Sequence, residues 1–369
     1  WAKRLRRTFA ASFADLDGDG DLDLITINDF AGVDLYDNDG HGQFSDVTAR
    51  LHNPRLFGMA HSFGDFDRDG AIDFLVAGMN LPAVERLDAL GLGRADQPER
   101  NRWRGEMAYG NRVYLRRDGR WVNPPFADAL ARTGWTWGNT AGDFDNNGDL
   151  DFYFANGHIS GDSVEDYDSH YWRHDIYLGT SREDRKLMFY FAKTFNGLNT
   201  GRTSWMGHQH NQMLLDFGSN RYRNAAWLMD LAHETDCRAV VSADLNNDGK
   251  LDLLMTDVEW TYGPSTGRNR LHVHLNQLPA TGHWIGARLS PLRKGVSPIG
   301  AKVFVKTADR VFPAHLVTGH SYQSQHPFRA HFGLGRRDRV EELAVQWPNG
   351  EVNKLSNPKV DAWHDFGRP

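Results

Sequence analysis

One cysteine, Cys237, in 369 residues excludes any disulfide within the chain. No run of 18 apolar residues occurs, so no segment can cross a membrane as a helix. Excess positive charge is also missing. The formal net charge is -6, which argues against a nucleic-acid surface. There is no P-loop, no H-E-x-x-H and no G-x-G-x-x-G in a dinucleotide-binding context, so the familiar phosphate, zinc-protease and nicotinamide chemistries have no anchor. Without disulfides, a bound metal is the remaining way to staple turns in an oxidising compartment. The chain opens at Trp1, beside a strand. A processed N-terminus, with any cleaved targeting signal gone, is the expectation.

The chain does contain a repeated acidic loop. Asp15, Asp17, Asp19 and Asp23 stand at positions 1, 3, 5 and 9, with Gly20 at position 6. Asp65, Asp67, Asp69 and Asp73 repeat this around Gly70, and Asp143, Asp145, Asn147 and Asp151 around Gly148. Asp244, Asn246, Asp248 and Asp252 surround Gly249. Hard cations take six to eight oxygens, and a tight loop turned by glycine can aim several at one point. Position 7 would add a backbone carbonyl from Asp21, Ala71, Asp149 or Lys250. Acidic surface turns alone do not explain the constant phase of the glycine. About four calcium ions are expected, and they would more than cancel the net charge.

These loops are not EF-hands. An EF-hand needs Glu at position 12 and flanking helices, whereas position 12 here is Thr26, Val76, Phe154 or Met255. Short apolar runs precede and follow each loop and read as buried strands. Each loop is therefore a strand-to-strand turn. Asn38-Asp-Gly then marks a hairpin, giving four strands in roughly 45 residues, the arithmetic of a propeller blade. The second unit finds its hairpin only at Asn111 to Trp121. Residues 81–110 intervene as a partly helical insertion. A second insertion, 157–205, follows the third loop. A hairpin is expected at 175–179 and another from Asn211, with 180–232 as a candidate blade lacking an acidic loop. The fourth unit runs from Asp236 to Asn276.

The tail reads Gly282-His-Trp-Ile-Gly-Ala-Arg-Leu, Pro298-Ile-Gly-Ala-Lys-Val-Phe-Val, Gly319-His-Ser-Tyr-Gln-Ser-Gln, His331-Phe-Gly-Leu-Gly and Val345-Gln-Trp-Pro-Asn-Gly. The four loops resemble the FG-GAP/VCBS-type repeats of integrin-α-like β-propellers, and this tail is similar to the ASPIC/UnbV domain. The combination resembles bacterial relatives of cartilage acidic protein. The resemblance implies an all-β fold: a calcium-binding β-propeller over 1–278 and a β-rich ASPIC/UnbV domain over 279–369. Relatives usually carry more repeats ahead of the tail. The expected ring is therefore seven-bladed, or a partial or degenerate version that the tail completes. A secreted or periplasmic location is implied.

Function is expected in the insertions, because the scaffold repeats and they do not. Arg102, Trp103 and Arg104 in one, and Tyr171, Trp172 and His174 in the other, are candidate anchors on one ligand face. The first reading is a binding protein for a protein or carbohydrate ligand. The alternative is an enzyme acting on carbohydrate or a secondary metabolite, with Asp162, Glu165, Asp166 and Asp168 supplying paired carboxylates; a solvated acidic insertion is the favoured reading of these four. His208/His210 and His272/His274 place two imidazoles on one strand face, as chance on a half-exposed strand also would. His320, His326 and His331 read as packing residues, and Cys237 as a small core residue that a partner such as His61 could activate.

Overall fold

A computed structural model of the chain describes residues 6–178, 185–260, 267–279, 282–293 and 295–367. The first sheet is an up-and-down meander of β1 (Arg7–Ala14), β2 (Asp23–Asp29), β3 (Gly32–Asn38) and β4 (Phe44–Asp46). The second has the same order in β5 (Gly58–Gly64), β6 (Asp73–Gly78), β7 (Arg112–Arg117) and β8 (Arg120–Val122), and the third in β9 (Thr136–Gly142), β10 (Asp151–Asn156), β11 (Gln212–Asp216) and β12 (Tyr222–Asn224). The fourth has three strands: β13 (Cys237–Ala243), β14 (Asp252–Glu259) and β15 (Arg268–His274).

Register fixes the acidic loops. Ala14 pairs with Asp23, Gly64 with Asp73, Gly142 with Asp151 and Ala243 with Asp252. Each loop therefore joins the first two strands of its sheet, and its position-9 Asp opens the second strand. Apolar faces of consecutive sheets pack together: Ile25 and Leu35 with Phe74 and Tyr114, Leu75 and Val113 with Phe152 and Phe154, and Tyr153 and Met213 with Val240 and Met255.

The insertions are helical. After β6 come α1 (Pro82–Ala89) and α2 (Pro98–Met107), and a short helix, α3 (Ala127–Ala131), precedes β9. After β10 come α4 (Asp168–Leu178) and α5 (Arg185–Asn199). Two expectations fail here. Residues 175–178 of the expected 175–179 hairpin are instead the end of α4, where a short apolar run fits helix and strand alike, and Gly179 lies outside the described residues. Residues 180–232 form no separate blade, because β11 and β12 complete the third sheet. The first insertion is also less separable than expected, since Val84 and Leu87 of α1 are buried with Trp135, Trp137 and Trp172.

The tail folds around its own core, with Val303, Leu343, Val345 and Trp347 fully buried. One sheet orders β16 (His283–Leu289) between β19 (Arg329–Gly335) and β22 (Trp363–Phe366). The other runs β18 (Val311–His315), β17 (Lys302–Lys306), β20 (Glu342–Gln346), β21 (Val352–Ser356).

The connection after β18 reaches the first strands of all four preceding sheets. Phe13 N donates to Thr318 Oγ1 at 2.7 Å, and Ser12 Oγ to the Gly319 carbonyl at 3.0 Å. Ser321 N donates to the His61 carbonyl at 2.8 Å, and Val240 N to Ser321 Oγ at 3.2 Å. His326 Nε2 lies 3.3 Å from Thr140 Oγ1. Residues 317–326 thus occupy the space between β1, β5, β9 and β13.

Candidate cation loops and ligand pocket

The four loops share one hydrogen-bond plan. The position-9 carboxylate accepts the amide of position 2 (Leu16, Phe66, Phe144 or Leu245) at 2.8–2.9 Å. Its other oxygen accepts an amide from the third strand or just beyond it: Asn38, Arg116, Asp216 or Asn276, at 2.8–3.0 Å. The position-1 Asp accepts the amide of the position-6 glycine at 2.7–3.1 Å. Those glycines have φ of +104°, +89°, +95° and +85°, a region that side-chain-bearing residues enter only with strain. Backbone geometry therefore explains the invariant phase of glycine and of the two outer carboxylates.

The remaining oxygens gather as a cation site would need. Ligand atoms of Asp15, Asp17 and Asp19 lie within 4.8 Å of one another, as do those of Asp65, Asp67 and Asp73, and of Asp143, Asp145 and Asp151. Asp37 on β3 joins Asp17 and Asp23 in a further group. Sequence inspection missed Asp37, which stands outside the loop motif and reaches the site through strand pairing. Among the described residues the fourth loop gathers no such trio. Its position 3 is Asn246, and its Asp244 accepts Trp363 Nε1 at 2.8 Å.

The electrostatics are those of crowded carboxylates. Burial, then neighbouring carboxylates, push Asp23 and Asp73 up to about 7. Burial raises Asp143 and Asp151 well above the carboxylate range, with repulsion from Asp145 and Asp143 respectively adding to it. Oδ1 of Asp67 and Oδ1 of Asp21 are enclosed without a hydrogen-bond donor. Buried acceptors left so are costly, and a hard cation would satisfy them. Arg117 partly answers this in the second loop, pairing with Asp67 and with Asp69, the latter at 2.6 Å. By donor type and placement the first three loops fit calcium best.

The tail closes over these loops. Lys302 Nζ is 2.5 Å from Asp15 Oδ2, Arg310 Nη1 donates to the Gly148 carbonyl at 2.8 Å, and Arg329 Nη1 to the Asp244 carbonyl at 3.2 Å. Gly335 N donates to the Asn146 carbonyl at 2.9 Å, and His331 Nε2 lies 2.9 Å from the Gly249 carbonyl.

Residues 15–76, spanning the first two loops, match the FG-GAP-like repeat model, and residues 293–368 match the ASPIC and UnbV model. The chain carries an FG-GAP-like repeat and an ASPIC/UnbV domain. No curated protein matches it. The third and fourth loops lie outside the FG-GAP-like match, yet have the same register and hydrogen bonds. The ASPIC/UnbV domain supplies the basic groups that meet the first, third and fourth loops.

Away from these loops the two insertions enclose a pocket of about 720 Å³. Trp103 and Arg104 of α2, Tyr171 and Trp172 of α4, Phe30 from the turn between β2 and β3, and Phe57 just before β5 line it. Phe30 is 47% exposed and has φ of +57°, an outlier for a bulky residue. It packs edge-on against Phe57 at 5.0 Å. Arg102 does not line the pocket; it pairs with Glu106 along its own helix at 3.5 Å. The His174 side chain lies outside the described residues.

The acidic residues of the second insertion act as structural ties. Asp166 accepts the amides of Asp168 and Met206, and Asp168 accepts Trp172 Nε1 at 3.0 Å. Asp162 and Glu165 are exposed, and none of the four lines the pocket. Cys237 is buried in the core, where Asn211 Nδ2 donates to Sγ at 3.1 Å and burial raises the thiol pKa; His61 instead meets Ser12. His208 and His210 turn to separate partners, the Gly161 carbonyl and Glu234. His320 and His326 stack at 4.1 Å, both deprived of charge by burial. The sequence does not lack G-x-S-x-G: Gly263 to Gly267 carry that spacing, and all but Gly267 lie outside the described residues.

Proposed function

We propose that this chain is a calcium-stabilised, four-bladed β-propeller, secreted or periplasmic, that binds a carbohydrate or protein ligand between its insertions. This narrows the expectation of seven blades or a partial ring to four, with segment 317–326 of the ASPIC/UnbV domain on the axis. Four meanders of one topology, whose first strands surround that segment, support the ring. Three acidic trios and the unpartnered Oδ1 atoms of Asp67 and Asp21 support calcium. Calcium at millimolar levels outside the cytosol supports the location.

The observation that carries the binding role is the 720 Å³ pocket. Its volume lies in the range of small-ligand sites, and its walls set five aromatic rings beside the charged groups of Asp96, Glu99, Arg100 and Arg104. Trp103 and Tyr171 offer faces to a sugar ring or an apolar side chain. A panel of glycans and peptides screened against the calcium-loaded protein tests this. A ligand lost on Trp103→Ala, with Tm unchanged, is the expected result. A ligand whose affinity ignores Trp103 and Tyr171 would place the binding site elsewhere.

A further inference from the structure

Three imidazoles meet on the fourth sheet, outside the acidic loops; His274 pairs with Leu253, just past the fourth loop. His272 and His274 lie on one face of β15 with rings nearly parallel, at 11° and 6.4 Å between centroids. His233, from the connection between β12 and β13, brings its ring to 4.8 Å from that of His274 and 5.7 Å from that of His272. Sequence spacing exposed only the strand pair. The third member is supplied by the packing of one sheet's exit against the next.

The hydrogen bonds define which nitrogens are available. Asp257 is fully buried, accepts Arg270 Nε and Nη2 at 3.1 Å each, and meets His272 Nε2 at 3.0 Å. Burial pushes that carboxyl upward, but the bonds from Arg270 and His272 hold it below the usual range. An ionised carboxylate only accepts, so His272 Nε2 carries the proton and Nδ1 keeps its lone pair. A carboxylate behind one imidazole nitrogen is the arrangement that orients histidines for metal ligation. Nε2 of His233 and Nε2 of His274 are both enclosed and have no hydrogen-bond partner. Burial and the neighbouring imidazoles lower the pKa of both rings, and the neutral imidazole is the form that ligates.

We propose that His233, His272 and His274 form a site for one divalent transition-metal ion of the zinc or copper class, with Asp257 as the positioning residue for His272. Imidazole ligands select these ions over calcium, so the site is chemically separate from the acidic loops. As the rings stand, no choice of one nitrogen from each brings all three within 4.8 Å. Capture therefore requires at least one ring to turn about its side-chain bonds. His272 stays oriented by Asp257, so His233 and His274 are the rings expected to move.

The test is zinc titration by calorimetry on the full chain, in excess calcium to occupy the acidic loops. One saturable site per chain is expected. His233→Ala and His274→Ala should each weaken it by at least about tenfold, while His208→Ala leaves it unchanged. Copper(II) electron paramagnetic resonance on the unaltered protein is independent of the folding of any variant. It should show nitrogen coupling from more than one imidazole. The proposal is overturned by the absence of saturable zinc binding. A His233→Ala/His274→Ala double variant that binds as tightly as the parent, or a copper spectrum without nitrogen coupling, overturns it equally.

Discussion

Replacing Asp73 by alanine probes the acidic loops most cleanly. The carboxylate is fully buried and accepts two amides, Phe66 N and Arg116 N, each at 2.9 Å. Alanine leaves both donors without a partner. An unsatisfied buried donor costs about 1–3 kcal/mol, and the Arg116 amide is only partly enclosed. The expected loss without calcium is therefore about 2–4 kcal/mol. With calcium the variant also forfeits one cation site. At free calcium of about 100 times Kd, a site present only in the native state adds about 2.7 kcal/mol. Urea unfolding of parent and variant, each with calcium and with chelator, separates the two contributions. The variant should be destabilised in chelator and more so in calcium. Equal losses in both conditions would mean that Asp73 serves the turn and no cation. A loss under about 1 kcal/mol in both would refute the hydrogen-bond reasoning as well.

Other consequences are open to direct measurement. In chelator, stability should fall as pH rises from about 4 to 7. Asp23 and Asp73 are held up at about 7 in the fold against an ordinary value of about 4 in the unfolded chain, so the native state keeps protons that the unfolded state has released. Calcium should remove that fall, and a chelated Tm that climbs across this range contradicts the crowded-anion picture. Gly249→Ala should cost at least about 1–3 kcal/mol: its φ is +85° and an added Cβ would stand 2.0 Å from the Trp284 indole. Unchanged denaturation would mean the ASPIC/UnbV domain is not seated on the fourth loop. Calcium titration of single-loop variants should rank the fourth loop weakest, since it alone gathers no carboxylate trio among the described residues; an equal or tighter fourth site would contradict this.

The acidic loops were legible in the sequence because their demands are local. Nine residues contain the glycine that must take positive φ and the carboxylates that bind the turn's own amides. The strands on either side followed from short apolar runs. Asp37 was not legible, because β3 brings it in from outside the motif, and neither was His233, which comes from another sheet's exit. The 175–179 stretch misled because a few apolar residues satisfy helix and strand alike. The largest omission was the seating of the tail. Lys302, Arg310 and Arg329 are ordinary basic residues in sequence, and only the fold sets them against acidic loops some 160 to 290 positions earlier or, at Asp244, 85. In the pocket, Trp103 and Tyr171 were visible as aromatics in a non-repeating insertion. Phe30 was not, since nothing local marks its strained backbone.

The central claim is that calcium bound in the repeated loops holds the sheets together. Elemental analysis of the protein after equilibration in buffered calcium and desalting, paired with Tm before and after chelation, tests it most directly. About three to four calcium ions per chain are predicted, one in each of the first three loops and a more weakly held one in the fourth, with a Tm that drops on chelation and returns when calcium is restored. Protein that retains no calcium and melts at the same temperature in chelator would contradict the account.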